Sequence, residues 1–359
     1  MQPTTRFGIV GTGWRSEFYL RIARELPQRF QVVGVVSRQV QRAQEWQTLW
    51  NVPTFTSIDA LLSEAVPDFV VVSVPRQAVE GIAAVLVRQR VPMLLETPPA
   101  TDLPGLIAIN RLAAEGGRIQ VAEQYHRQPL HAARLALARA GRLGEIVHAQ
   151  VSCSHDYHGI SLLRRLLGVG FENASIRGTR LKSTILNPPN RDGYPAQESH
   201  SSTNQEIALF DFGAKTALYD FTGDQYFSPI RTNRMLVRGT RGEIHDSLVR
   251  FMADHRTVVE WELRRQNAGE NGNLEGYHLK GILAGDQWIY TNPFAPGRLS
   301  DDEIAVADCL AAMGEYARGG AGFYSLAEAS QDHYLGLLMK QALDTGATVH
   351  SETQPWASP

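Results

Sequence analysis

Cysteine is scarce. The 359 residues hold two, Cys153 and Cys309, far apart in the chain. That spacing offers no disulfide framework and points to a reducing compartment. Long apolar runs are missing as well; none approaches the ~20 residues needed to cross a bilayer. The opening stretch MQPTTRFGIVGTG has no apolar segment ahead of its first glycine turn, so no signal peptide is expected and a cytoplasmic location is. An excess of one charge is also lacking. Lys and Arg total 35 against 37 Asp and Glu, for a net charge of −2. This argues against nucleic acid or an anionic membrane as a partner. There is no internal repeat and no low-complexity tract.

What is present is ordinary globular composition, 43% hydrophobic and 20% charged, in a length that suits two domains. Up to about residue 122, short apolar strands alternate with helical stretches. Residues 7–10, 31–36, 68–74, 91–95 and 118–122 read as strands. Residues 16–26, 40–50, 77–90 and 102–115 read as helices. Near-continuous apolar strands separated by helices predict a doubly wound parallel sheet covered on both faces. Beyond about 125 the pattern changes. After a helix near 130–140, residues 145–153, 206–223, 234–238, 242–253 and 256–263 are short and loosely alternating, as in an antiparallel sheet with one wet face. The polar stretches 183–204 and 264–281 read as loops, and helices are expected at 301–318 and 325–344. The fold class is therefore α/β. A doubly wound domain over 1–124 precedes an α+β domain over 125–359.

The stretch GIVGTGWRS follows the first strand and opens the first helix. Gly11 permits a tight turn. Gly13 lets backbone approach a pyrophosphate on the positive end of the helix, and Ser16 stands where a third glycine or alanine is usual. The backbone of Gly11, Thr12, Gly13 and Trp14 is the expected pyrophosphate contact. The alternative is a packing turn with no ligand. At the end of the second strand come Ser37 and Arg38, with no acid. A carboxylate there would bind a ribose 2′-hydroxyl, whereas a hydroxyl and a guanidinium suit a 2′-phosphate. NADP is expected over NAD.

These features resemble the Gfo/Idh/MocA oxidoreductases, the relatives of glucose–fructose oxidoreductase and inositol dehydrogenase. The resemblance rests on GIVGTGW, VVSVP at 71–75, LLETPPA at 94–100 and ARAGRLGEIVHAQV at 138–151. VRGTRGEI at 237–244 and SLAEASQDHYLGLLMKQALDTGATV at the end extend it across the chain. It implies a Rossmann domain and a C-terminal domain with a large open, mostly antiparallel sheet. It also implies homo-oligomers, dimers or tetramers, packed through that sheet, and hydride transfer between a nicotinamide and a sugar, polyol or cyclitol. The resemblance adds Arg15, Ser73, Pro75, Glu96 and Thr97 to the cofactor contacts.

The family's Glu-Lys-Pro reads Glu96-Thr97-Pro98 here. A threonine cannot act as a base near neutral pH, so the lysine's proton-transfer role does not carry over. The Thr97–Pro98 bond is expected to be cis, as in relatives. The family's Asp-x-Gly-x-His motif aligns with Ser154-His155-Asp156-Tyr157-His158, of which only His158 matches. His158 is the leading acid–base candidate, followed by Tyr125, His126 and His155; each can equally be a structural residue. No metal site is expected. Glu198, His200 and Asn204 are weaker candidates for sugar contact, and Trp261 and Trp288 read as sheet aromatics. The loss of the lysine leaves two other readings open: a non-catalytic nucleotide- or sugar-binding regulator of the same fold, or a glycosidase with retained NAD.

Overall fold

The alternation in the first third of the chain becomes a parallel sheet in the computed structural model, which describes residues 3–357 apart from Asn273 and Glu275. Those two positions fall in the 264–281 stretch expected as loop, so that part of the expectation lies outside the described residues. The elements are β1 (Thr5–Val10), α1 (Ser16–Glu25), β2 (Phe30–Val36), α2 (Val40–Trp50), β3 (Thr54–Phe55), α3 (Ile58–Ala65), β4 (Phe69–Val72), α4 (Val79–Arg88), β5 (Met93–Leu95), α5 (Leu103–Ala114) and β6 (Ile119–Val121). The strand order is β3-β2-β1-β4-β5-β6, all pairs parallel. This is the doubly wound order of a Rossmann sheet, whose direction of winding reverses between β1 and β4. Phe7, Ile9, Phe69 to Val72 and Met93 to Leu95 are fully buried, because helices cover both faces. Each such side chain contributes ~1.5–3 kcal/mol by leaving water.

The second half supplies α6 (Pro129–Arg139), β7 (Ile146–Ser152), α7 (Asp156–Leu167), β8 (Ser175–Leu186), β9 (His200–Asp211), β10 (Thr216–Phe221), β11 (Arg234–Gly239), β12 (Gly242–His245), β13 (Leu248–Met252), β14 (Val258–Ala268), β15 (His278–Ala284) and β16 (Gln287–Thr291). It ends with α8 (Asp301–Ala317), α9 (Leu326–Thr345) and β17 (Val349–His350). Among the described residues, eleven of these strands form one mostly antiparallel sheet, in the order β16-β15-β14-β13-β12-β11-β7-β10-β9-β8-β17. Strand β10 shows the alternation of a half-wet sheet: Ala217, Tyr219 and Phe221 are buried, while Thr216, Leu218 and Asp220 are less so. Helix α7 packs on β7 and β10.

The expected loop at 183–204 is in part a strand pair. Strands β8 and β9 pair from Ser175↔Asp211 to Leu186↔His200, which includes Ser183↔Thr203 and Lys182↔Asn204. Residues Leu181 to Thr184 are all exposed, so this ribbon is wet on both faces. No apolar alternation marks it; backbone pairing holds it, with side-chain hydrogen bonds such as Thr203 to Thr222 at 2.9 Å.

By contact the chain forms two compact units. One comprises residues 1–129, 265–281 and 291–330; the other comprises 130–264, 282–290 and 331–359. In the first, α8 lies against α1 and β1. The segment at 323–325 covers the edge of β6: Val121 N donates to Tyr324 O at 3.0 Å, and Gln120 Oε1 accepts from the Phe323 and Tyr324 amides at 2.8 and 2.9 Å. An uncovered edge strand would be open to pairing with another chain.

Candidate functional site

At the end of β1 the two glycines do different work. Gly11 has φ +115°, and a Cβ there would stand 2.0 Å from the Ser73 carbonyl oxygen. Only glycine can occupy that position. Gly13 lies outside the left-handed region, and a Cβ on it would meet nothing within 4 Å. Neither backbone conformation nor internal packing calls for glycine at 13. What the missing side chain leaves is open space at the N-terminus of α1, where amide donors and the helix dipole favour an anion. Around this space, Gly11 N donates to Val36 O and Ser73 N to Val10 O, at 3.0 and 2.9 Å. The carboxyl ends of β1, β2 and β4 are thereby drawn together. Ser37 is buried with its hydroxyl on the Gln39 backbone, Arg38 and Pro75 are exposed, and Thr12 is half-buried. Trp14 is 53% exposed, its ring edge-on to Phe18.

Arg15 turns inward. Its Nε donates to Glu96 Oε1 at 3.1 Å and its Nη1 to Asp302 Oδ2 at 2.7 Å. Tyr19 Oη donates to the same Glu96 oxygen, and Thr97 N donates to Glu96 Oε2 at 3.3 Å. Asp302 Oδ1 accepts from Gln124 and Gln128 at 3.2 and 3.3 Å. Burial opposes the charge on Arg15, but Glu96 and Asp302 outweigh it and hold its pKa above the usual value. Burial likewise pushes Asp302 up, and the Arg15 charge and hydrogen bond bring it below the carboxylate range. Burial and then Glu96 raise the Tyr19 phenol. The Thr97–Pro98 bond is cis, as expected. Glu96 thus meets protein donors on both oxygens. Nearby, His126 stacks on Tyr324, and the Tyr125 amide donates to Glu123 Oε1 at 3.1 Å.

In the second unit, His155 and His158 come together at the start of α7, their ring centroids 5.1 Å apart and edge-on. His158 is buried beside Tyr157. His155 is half-buried, and both its amide and its Nδ1 meet Tyr226 Oη, at 3.0 and 2.5 Å. Asp156 has φ +31° and donates its amide to Tyr219 Oη at 3.0 Å. It stands where the family's motif carries glycine, and its backbone takes a conformation that favours glycine. Ser154, in the place of the family's aspartate, is fully buried. His200 and Asn204 lie on β9, while Glu198 lies outside any strand and is exposed.

Residues 5–125 match the model of an oxidoreductase family with an NAD-binding Rossmann fold, GFO_IDH_MocA. That segment is similar to the NAD-binding Rossmann domain of the Gfo/Idh/MocA oxidoreductases. A comparison with curated proteins found no match. Solved structures of the same fold extend over the whole chain. An Agrobacterium radiobacter oxidoreductase, solved with NAD+, L-tartaric acid and magnesium, shares 15% identity, with 96% of this chain and 98% of that one covered and a TM-score of 0.68. A putative NADPH-dependent oxidoreductase from Desulfitobacterium hafniense shares 13%, with 98% of both chains covered and a TM-score of 0.67. A putative myo-inositol dehydrogenase from Sinorhizobium meliloti shares 15%, with 96% and 99% covered and a TM-score of 0.65.

Three residues that matter to the geometry escape a sequence reading: Tyr19, Asp302 and Tyr226. Asp302 has the clearest local signal. It sits in Ser300-Asp301-Asp302-Glu303, a capping box whose two reciprocal hydrogen bonds both form, and such a box marks a helix start. Nothing local shows that this helix start meets a residue 287 positions away.

Proposed function

We propose that the protein is an NAD(P)-dependent oxidoreductase acting on a sugar, polyol or cyclitol hydroxyl. The carrying observation is Gly13, a glycine at the switch point of a doubly wound sheet for which the protein itself has no steric use. The turn fits a dinucleotide: Gly11 to Trp14 hold the pyrophosphate through backbone amides, and Ser37 and Arg38 face the adenosine ribose. The cofactor supplies hydride transfer. Proton movement falls to the chain, and His158, with His155 beside it, is the assigned acid–base group because Thr97 has no useful pKa. Tyr125 and His126 are the further candidates. Inositol dehydrogenases among the structural neighbours support a sugar-like substrate.

The test is titration with NADP and NAD by calorimetry, then a turnover screen over polyols and sugars. Binding with turnover supports the reading. Binding without turnover favours a nucleotide-binding regulator, the alternative to which the loss of the lysine points. NADP should bind more tightly than NAD, and Ser37→Asp should invert the order by repelling the 2′-phosphate. A wild type that prefers NAD sinks the NADP assignment.

A further inference from the structure

The sheet order β3-β2-β1-β4-β5-β6 divides a dinucleotide between two halves: one mononucleotide on the β1–β2–β3 side, the other on the β4–β5–β6 side, with the pyrophosphate at the turn after β1. Arg15 belongs to that turn. Glu96 stands at the exit of β5, two strands away, with β4 between them, so the Arg15–Glu96 pair crosses ~10 Å of sheet edge. The other arm of Arg15 reaches Asp302, which also gathers Gln124 and Gln128 from beyond the exit of β6. One guanidinium and two carboxylates therefore fasten the exits of β1, β5 and β6 together. The side chains of Arg15 and Glu96 are 13% and 15% exposed, which makes this tie less screened than a surface pair.

We infer that Arg15 is a positioning residue: it sets the spacing between the pyrophosphate turn and the Glu96–Thr97 exit that receives the second mononucleotide, and its side chain does not bind the phosphates. The inference rests on the cofactor reading above and assigns a further role within it. Three of the guanidinium's contacts are informative. Nε and Nη1 are spent on carboxylates, and the ring of Phe18 lies 4.6 Å from its central carbon. Nη2 is buried without a hydrogen-bond partner, so a direct phosphate contact would have to use it or the second N–H of Nη1. The two roles differ in what they do to a half-ligand. ADP carries the adenosine and both phosphates but no second ribose. A direct phosphate contact serves ADP and the dinucleotide alike, whereas a spacing device serves only the dinucleotide.

The experiment compares ADP, or its 2′-phosphate if NADP is the tighter ligand, with the full dinucleotide by calorimetry. Wild type, Arg15→Met, Glu96→Gln, Asp302→Asn and the Arg15→Met/Glu96→Gln double variant are titrated, and folding is checked by circular dichroism. Each single change should weaken the dinucleotide by ~10-fold, the scale of a lost charge-assisted hydrogen bond. The half-ligand should stay within about twofold. The double variant should be no worse than the weaker single, since both remove one tie. Arg15→Lys should recover part of the loss, because an ammonium can hold one carboxylate but cannot span two. Equal losses for half-ligand and dinucleotide in a folded variant would assign Arg15 to the phosphates and overturn the inference, as would additive losses or none. If Arg15→Met does not fold, Asp302→Asn carries the same readout, because Asp302 holds Arg15 and is not among the cofactor contacts. A wild type that binds neither nucleotide would sink the cofactor reading itself and this one with it.

Discussion

At the residue scale, the two glycines of the turn separate fold from function. Gly11 is demanded by φ +115° and by the Ser73 carbonyl, whereas Gly13 is demanded by nothing inside the protein. Gly11→Val should therefore unfold the turn and lower thermal stability. Gly13→Val should leave the melting temperature near wild type while nucleotide affinity collapses, because its side chain fills the pyrophosphate space. Undiminished binding in a folded Gly13→Val protein would remove the phosphate from this turn. A second residue-scale prediction concerns His131. It is buried, and Arg134 Nη1 donates to its Nδ1 at 3.1 Å. Burial, then the Arg134 charge, push its pKa down to about 3. The folded state thus refuses a proton that the unfolded chain takes up near 6.5. Stability is retained above pH ~6.5 and lost as pH falls from there towards 3, at up to ~1.4 kcal/mol per unit. His131→Gln should flatten that slope, and urea midpoints from pH 7 to 4 measure it. Parallel slopes for the two proteins would show that His131 titrates normally. The glycines were legible because a strand, a turn and a helix surround them in sequence. The Arg15–Asp302 pair was not, because ion pairing across the fold leaves no local pattern.

At the scale of elements, the start of α7 shows how a departure from a motif is accommodated. Helix interiors rank Ala above Gly by ~1 kcal/mol. At position 156 the order should invert, because φ +31° suits glycine and burdens a Cβ. Asp156→Gly is therefore expected to be more stable than Asp156→Ala by ~1 kcal/mol, read as the difference between their urea midpoints. The usual helix order at this site would mean that the backbone relaxes out of the positive-φ conformation. Legibility varies among elements for a physical reason. Helix α2 occupies 40–50 as read, and β1, β2, β4 and β5 stand where continuous apolar runs predicted them, since burial on both faces forces composition. Strands β8 and β9 extend into stretches read as loop, because solvent on both faces removes that constraint. Their long register, from Ser175↔Asp211 to Leu186↔His200, is carried by main-chain bonds that any side chain permits.

At the scale of the whole molecule, the two compact units are discontinuous in sequence, and segments at 265–281 and 291–330 return to the first. Periodicity reports what a segment is, not which core it joins, so such a return is invisible to it. The large sheet raises the question of assembly. Helix α7 lies on one face. On the other, Leu209 faces Leu218 across β9 and β10, and Gln150 separates Leu218 from Leu236 on β11. Leu209 is 41% exposed, and charges pair across strands, Arg238–Glu243 and Arg250–Glu260 on adjacent ones and Arg234–Asp220 over β7. A row of leucines broken by one uncharged amide, with charges nearby already neutralised by partners, has little desolvation to overcome when a like surface covers it. A stable interface needs only ~800 Å² from each partner. The expected state is a dimer or tetramer through this face. Leu209→Glu would set uncompensated like charges against each other across a symmetric interface. Sedimentation should find the wild type oligomeric and the variant at single-chain mass. The variant should keep its nucleotide affinity, because the residues of the glycine turn belong to the other unit. A monomeric wild type, or an oligomeric Leu209→Glu protein, would take the interface away from this face.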